Sequence, residues 1–274
     1  MDTQIVLVYV VCDDMLKAFN HREDPQAQLS DAEIMTIAIV AALFFGANFG
    51  RSLTFLTEQG YLRGTLSKSR FSRRLHRIKG YFLTLFQLLA RRWKALNTEQ
   101  IYIVDTLPVP ICDNIRIRQC RIYRDEAYRG YQSSKRRYFY GLKVHLMVTE
   151  TGQPVEFFLS CGAFSNTSGL ELFSFDMPAN SLIIGGKAYN YYLIEDLLKE
   201  AGMELRPIRK HNSTRRLPPW MEYLQNRYRK MIETDGSMIE RLLPKSIHVT
   251  NAAGFELKMI LFTLASSINC LQRV

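Results

Sequence analysis

The sequence lacks the cysteine pattern of a disulfide scaffold or of a zinc site. Its five cysteines are scattered along the chain, without a Cys-x-x-Cys pair or a histidine at zinc-ligand spacing. Zinc sites need closely spaced ligands, and a disulfide framework needs an even set of cysteines in an oxidising compartment. We therefore expect reduced, structural thiols.

Long apolar runs are also missing. The longest run, residues 34–45, is shorter than the roughly 20 residues that a membrane-spanning helix needs. Another apolar run, residues 5–12, has neither the basic flank nor the small-residue cleavage site of a signal peptide. We expect no membrane partner and a cytoplasmic, nucleoid-associated protein.

Acidic residues are absent between Arg63 and Lys94, where ten basic residues occur. The whole chain has 36 Lys and Arg against 26 Asp and Glu, a net charge of +10. Such an excess favours a polyanionic partner, because each phosphate that is neutralised releases a counterion. Double-stranded DNA is the partner that we expect.

One helical stripe concentrates this charge. Exposed helices normally mix their signs, because like charges three or four residues apart repel each other. An unmixed stripe therefore predicts contact with DNA, and an ordinary solvated basic face is the alternative. The stripe consists of Arg70, Arg73, Arg74 and Arg77.

Residues 1–97 predict helices only. Ser30 and Glu33 have the spacing of a capping box and open an apolar helix that should end at Gly46. Ser67 or Ser69 should cap a later helix, the one that carries the arginine stripe. The short helices and turns resemble a helix-turn-helix, so we interpret this region as a helical DNA-binding domain.

Residues 98–274 predict an α/β domain. Strand-like runs alternate with helical patterns in the order strand, hairpin, strand, helix, strand, helix. This order predicts a ribonuclease-H-like, five-stranded mixed sheet with flanking helices, interrupted by a basic insertion at residues 113–137. The predicted strands are residues 101–104, 138–148, 155–161, 182–184 and 204–208.

Two carboxylates stand where such a domain could place a metal site. Asp105 ends the first strand-like run, and Glu233 follows Arg229 by four residues on a helical pattern. Phosphodiester chemistry with two divalent ions needs converging oxygen ligands, and the arginine suits a phosphate. Spacing cannot pair residues so far apart, and a turn cap and a surface ion pair are the alternative roles.

Five segments taken together resemble the DDE transposases of bacterial insertion sequences, in particular the insertion sequence 982 family. The resemblance implies a ribonuclease-H-like core, dependence on Mg²⁺ or Mn²⁺, and cutting and joining of DNA at element ends by a homodimer. It assigns the first catalytic acid to Asp105 and the last to Glu233. We also expect Lys143, Lys187 and Arg229 to contact DNA. The matching segments are residues 105–110, 140–145, 186–190, 229–234 and 254–258.

The second acid of the family pattern is missing. The family reads Gly-Asp-Lys-Ala-Tyr, whereas this chain has Gly186 between Gly185 and Lys187. Glu240 is a rival for the vacant role. We therefore expect a transposase with impaired cleavage, and the alternatives are a catalytically inactive, transposase-derived DNA-binding protein or another ribonuclease-H-like nuclease.

Overall fold

The computed structural model describes residues 1–132, 135–235, 241–244 and 247–272, and for residues 228–235 it describes the backbone alone. The helices are α1 (Asp2–Ala18), α2 (Asp31–Phe44), α3 (Phe49–Glu58), α4 (Lys68–Arg77), α5 (Lys79–Leu96), α6 (Asn166–Leu170), α7 (Tyr192–Glu200), α8 (Pro219–Asp235) and α9 (Ala252–Cys270). The strands are β1 (Ile101–Cys112), β2 (Arg129–Gln132), β3 (Arg137–Thr149), β4 (Pro154–Cys161), β5 (Leu182–Gly185) and β6 (Glu204–Pro207).

The chain divides into two compact units. The first contains Met1–Leu89 together with nearly all of α9, and the second contains Ala90–Arg241 with the sheet. This differs from the predicted division at residue 97, which assigned the C-terminal helix to the sheet domain. Helix α9 is apolar around most of its circumference, and such a helix needs other helices to cover it. Gln4 of α1 donates a hydrogen bond to Asn269 of α9 at 2.9 Å.

Helix α2 is the buried centre of the first unit. The Ser30 side chain accepts a hydrogen bond from the Glu33 backbone N–H at 3.0 Å, and the Glu33 side chain accepts one from the Ser30 N–H at 2.6 Å. The predicted capping box is thereby confirmed. The helix ends before Gly46, which takes a φ of +56°. Ser67 is the cap of α4, one of the two predicted serines.

A buried polar network joins four parts of this unit. Asp31, at the start of α2, is 1% exposed. His21 shares a 2.8 Å hydrogen bond with Asp31 through Nε2 and another 2.8 Å bond with the Tyr81 hydroxyl through Nδ1. Arg74 donates to the other Asp31 oxygen and to the Leu29 carbonyl. Burial raises the pKa of the Asp31 carboxyl, but the bonds from His21 and Arg74 outweigh burial and leave the pKa below its usual value.

The network changes the interpretation of the arginine stripe. The Arg74 side chain is only 15% exposed, and its counter-charge is Asp31 within the protein. Arg74 therefore has an ion-pair partner within the protein. Arg70, Arg73 and Arg77 are exposed, and DNA contact stays a prediction for all four arginines.

The second unit contains a six-stranded mixed sheet of order β2-β3-β1-β5-β6, in which β4 also pairs with β3. Strand β3 is antiparallel to β1, β2 and β4, and β5 and β6 continue the sheet in parallel with β1. The five predicted strands are present, and their order and directions agree with the predicted ribonuclease-H-like sheet. The sixth strand, β2, comes from the basic insertion.

Strand β1 is longer than the sequence predicts. It continues through Asp105 to Cys112 and pairs with β3 over nearly its whole length. Its pairing with β5 stops at Val104. Pro108 and Pro110 lack a backbone N–H, and they lie where β1 has lost this second neighbour, which is why a strand can accommodate them. Asp105 is therefore the first residue at which one side of β1 is open.

No helix in the described ranges is by itself long and apolar enough to cross a membrane. Helices α2 and α3 reach that length and hydropathy only as a pair, which is bent by 109°.

We predict that Arg74 and Arg73 differ in their effect on stability. Arg74→Ala leaves Asp31 buried with one partner fewer, and breaking a buried ion pair typically costs about 3 kcal/mol or more. Arg73→Ala removes an exposed side chain and should change the free energy of unfolding by less than about 0.5 kcal/mol. Urea unfolding of both variants measures the difference, and equal effects would contradict the internal role of Arg74.

Candidate active site

The structure brings Asp105 and Gly186 together. The last pair in the parallel ladder between β1 and β5 is Val104 with Gly185. Asp105 and Gly186 are the next residues along these two strands, and neighbouring strands lie about 4.8 Å apart. The position where the resemblance expects a second acid is therefore beside the first acid, at the carboxyl end of β5.

The backbone at Gly186 is compatible with an acidic side chain. Its φ of −70° and ψ of 177° are ordinary extended values. A Cβ atom built at Gly186 would have no neighbouring atom within 4 Å. At Gly185, by contrast, a Cβ would lie 3.0 Å from the Cβ of Tyr189. Packing requires a glycine at position 185, whereas position 186 has room for a Cβ atom.

Asp105 presents its carboxylate at the surface of the sheet. The side chain is exposed, and its Oδ1 accepts a hydrogen bond from the Thr106 backbone N–H at 2.8 Å. Burial raises the pKa of the Tyr189 phenol, and the negative charge of Asp105 raises it further. Asp105 thus lies within electrostatic reach of the turn that carries Gly186.

A row of hydrogen bonds fixes this turn to the sheet. The Tyr189 hydroxyl lies 2.6 Å from Thr106 Oγ1, which is 3.3 Å from His145 Nδ1. On its other side, His145 Nε2 is 2.9 Å from Ser160 Oγ. The row crosses β4, β3 and β1, passes through Thr106, the residue after Asp105, and ends at Tyr189 in the turn. It was not predicted from the sequence, although Thr106, His145 and Tyr189 all fall in the segments that carry the family resemblance.

His145 is neutral at the centre of this row. The residue is 0% exposed, and its ring stacks on Phe158 with 4.5 Å between centroids. Burial, aided by the charge of Lys143, lowers the pKa of His145 to about 4. Gly169 lies against the ring, since a Cβ there would be 2.6 Å from Nδ1.

The two lysines for which we expect DNA contact have different surroundings. Lys143 is half-buried, donates a hydrogen bond to the Phe164 carbonyl at 2.6 Å, and has its pKa lowered by burial. The Lys143 ammonium therefore has a partner within the protein, and its contact with DNA stays a prediction. Lys187 is exposed directly after Gly186, and its contact with DNA stays a prediction.

A basic loop follows β6 at the same edge of the sheet. Arg209 makes two hydrogen bonds to the buried Glu195 carboxylate, at 2.7 and 2.9 Å. Arg215 binds Asp196 at 2.8 Å and lies 4.6 Å from the ring centroid of Tyr192. These contacts attach the loop to α7, and sequence reasoning missed them because they depend on which side chains the crossover brings together.

Tyr192 has an unusual environment within this loop. Hydrogen bonds from Ser213 and Thr214 to the phenol oxygen lower the pKa of Tyr192 to about 8. Nearby, the Asn190 amide donates to the Ile208 carbonyl at 2.7 Å. The turn after β5 and the loop after β6 are thereby joined.

Glu233 lies on α8, and α8 contacts β5. Gln225, two turns earlier on α8, is buried and donates to the Arg206 carbonyl of β6 at 3.2 Å. The side chains of Glu233 and Arg229 lie outside the described residues, as does Glu240 entirely. The roles of these three residues stay predictions.

Asp105 has the donor chemistry of a magnesium or manganese ligand, because its carboxylate oxygens are hard donors and are exposed. Gly186 supplies no ligand. Within the described ranges, one group of three side chains could hold a metal, namely His21, Glu23 and Asp31 in the first unit. We interpret that group as structural, since Arg74 neutralises Asp31 and both ring nitrogens of His21 have hydrogen-bond partners.

A family model described as the transposase DDE domain matches residues 95–245, more than half of the chain. The chain therefore belongs to the family of transposases with a DDE domain. No curated protein matches it.

Two solved structures are similar at low sequence identity. The first is the piggyBac transposase synaptic complex with hairpin DNA, with 10% identity and a TM-score of 0.46 over 100% of this chain and 73% of that one. The second is the Mos1 strand transfer complex, with 12% identity and a TM-score of 0.26 over 82% of this chain and 86% of that one. At these TM-scores neither structure adds to the family assignment.

We predict that His145 makes the protein sensitive to acid. The pKa of histidine is about 6.5 in an unfolded chain and about 4 here, so the folded state favours the neutral ring. This contribution is present above pH 6.5 and is lost as the pH falls towards 4, which amounts to roughly 2–3 kcal/mol by pH 4.5. Urea unfolding at pH 7.5 and 4.5 should show a smaller difference for His145→Gln than for the parent. His211→Gln, at an exposed histidine, should leave the difference unchanged.

Proposed function

We propose that the chain is the transposase of a bacterial insertion sequence of the 982 family, and that Gly186 impairs its strand cleavage. The observation that carries this proposal is the register of β1 and β5, which sets Gly186 beside Asp105 in an open, extended conformation. The membership of the chain in the DDE family supports the reaction class.

Transposase DDE domains generally depend on divalent metal ions. We infer that Asp105 and Glu233 hold Mg²⁺ or Mn²⁺ in this chain. When bound, such ions activate the attacking oxygen and stabilise charge on the leaving oxygen. Two carboxylates bring less negative charge to the site than three, so the metals should be weakly held and the reaction slow.

We infer that double-stranded DNA at the element ends and at the target is the partner. The exposed Arg70, Arg73 and Arg77 line a surface cavity of about 440 Å³ between α4 and residues 24–28, together with Arg74. Lys187 and Arg229 would contact DNA near Asp105. Joining two ends takes more than one active site, so we propose a homodimer, located in the cytoplasm on the nucleoid.

A second function is favoured by the same glycine. A transposase-derived protein that binds element ends without cutting them would keep the arginine surface and lose only the acid. The two functions differ in whether the parent protein has any metal-dependent cleavage.

We predict that Gly186→Asp increases strand cleavage. The parent should bind an element-end duplex but cut it slowly, because one lost electrostatic contact to a transition state is worth about 10² to 10³ in rate. The measurement is single-turnover cleavage of a cognate duplex in Mg²⁺ and in Mn²⁺.

Gly186→Asn is the matched control, since it has the size of aspartate without the charge and should leave cleavage slow. Asp105→Asn should abolish cleavage in either background. Calorimetric titration with Mn²⁺ should detect one weak site in the parent and tighter binding in Gly186→Asp. Rapid cleavage by the parent that Gly186→Asp does not improve would show that another acid, with Glu240 the first to test, completes the site.

We predict that the exposed arginines of α4 determine the salt dependence of DNA binding. Each phosphate contact contributes about 0.9 to the slope of log K against log salt concentration. Replacing Arg70, Arg73 and Arg77 together by alanine should flatten the slope by about 2 to 3. Lys17→Ala removes an exposed charge on α1 and serves as the control. An unchanged slope in the triple variant would place the DNA contact elsewhere.

A further inference from the structure

The basic insertion at residues 113–137 contains β2, which forms a hairpin with β3. The two faces of this hairpin differ. On the inner face, a Cβ at Gly130 would collide with the Gly162 carbonyl and with the Phe139 ring. Phe139 is 5% exposed. This face is closely packed on the loop after β4, so the hairpin is fixed in place.

The outer face presents two aromatic rings to solvent. Tyr131 and Tyr138 are directly opposite each other in the ladder, with ring centroids 4.9 Å apart and planes at 53°. Their exposed fractions are 48% and 63%. The tyrosine pair thus displays an aromatic surface on a rigid sheet.

The base of this surface is anchored. Tyr140, two residues after Tyr138 on the same face, is 3% exposed and donates hydrogen bonds to the backbone carbonyls of Tyr123 and Asp125. Tyr128 lies between the rings of Tyr123 and Tyr140, with centroids 4.6 and 6.4 Å away. Tyr140 is therefore packed into the protein together with Tyr123 and Tyr128. The exposed aromatic part of this face is the pair of Tyr131 and Tyr138.

The insertion that leads to the tyrosine pair is strongly basic. Of the three acids in the insertion, Asp125 accepts a hydrogen bond from the Ala127 N–H at 2.9 Å, and Glu126 pairs with Arg129 at 3.3 Å. Arg129 lies two residues before Tyr131 on the same face of β2, and Arg137 precedes Tyr138 on the opposite face of β3. The insertion contains eight basic residues: Arg116, Arg118, Arg121, Arg124, Arg129, Lys135, Arg136 and Arg137.

We propose that Tyr131 and Tyr138 form a stacking platform for unpaired DNA bases, and that the basic residues around them bind the same strand's phosphates. This inference rests on the proposed function, in which DNA is the substrate. Every base has a flat aromatic face, so exposed rings inside a positive surface bind single strands with little regard to sequence. In an intact duplex the base faces are stacked on one another, so the platform selects strands that are open or frayed.

The positive charge of the insertion argues against a second copy of the chain as the molecule that binds to the tyrosine pair. Two copies that met through this face would bring two excess positive charges together, whereas a DNA strand would neutralise them. The platform therefore fits a polyanion that carries aromatic groups.

The experiment compares binding of a single strand of about twelve thymidines with binding of an element-end duplex, both by fluorescence anisotropy. Replacing both tyrosines by alanine should weaken single-strand binding at least about tenfold and duplex binding much less. The salt dependence should be unchanged, because no phosphate contact is removed. Replacing both by phenylalanine should retain single-strand binding, since the rings remain. Ile115→Ala, at a side chain in the insertion that is 96% exposed, is the control.

Equal single-strand binding by the parent and the alanine variant, with duplex binding intact, would overturn the platform and leave the proposed function standing. A parent that binds neither DNA would overturn both. A parent that sediments as a dimer without DNA, and an alanine variant that sediments as a monomer, would assign the tyrosine pair to a subunit interface instead.

Discussion

The candidate site depends on four residue pairs between two parallel strands. Residues 101–104 of β1 pair with residues 182–185 of β5, and beyond Val104 the strand β1 continues with β3 alone. Because β5 stops first, Asp105 is the first exposed acid beside an open edge, and the turn that carries Gly186 can lie next to it. The hydrogen bond between the Tyr189 hydroxyl and Thr106 Oγ1 then holds that turn in place. A shift of one residue in this register would turn Asp105 to the other face and separate the two positions.

Some positively charged side chains of this protein have partners within the folded structure, and others are exposed. Arg74 neutralises Asp31, Arg209 neutralises Glu195, and Lys143 binds a backbone carbonyl. Each of these three cations has a partner within the protein. Other arginines of α4 and of the insertion are exposed. A net charge of +10 therefore overstates how many cations can reach a phosphate, and the position of each side chain decides its role.

The sequence predicts the local features of the fold well. The capping box at Ser30, the cap at Ser67 and all five core strands follow from short-range patterns, and the structure contains them. Long-range features could not be predicted in this way. The partner of Arg74 is 43 residues away, β2 is hidden in an irregular arginine-rich segment, and α9 joins helices from the other end of the chain. At the site, the proximity of Asp105 and Gly186 required the sheet register, and the role of Glu233 rests on the family resemblance alone.

The open, extended backbone at Gly186 also bears on the history of such a gene. Codons for glycine and aspartate can differ by a single base, and the backbone at Gly186 leaves space for the Cβ atom of a larger residue. If the proposed function holds, a copy with this glycine is a dormant form of the element and has not decayed structurally. One point mutation in a population of such copies could then produce a mobile descendant, so selection for mobility would act on an intact scaffold.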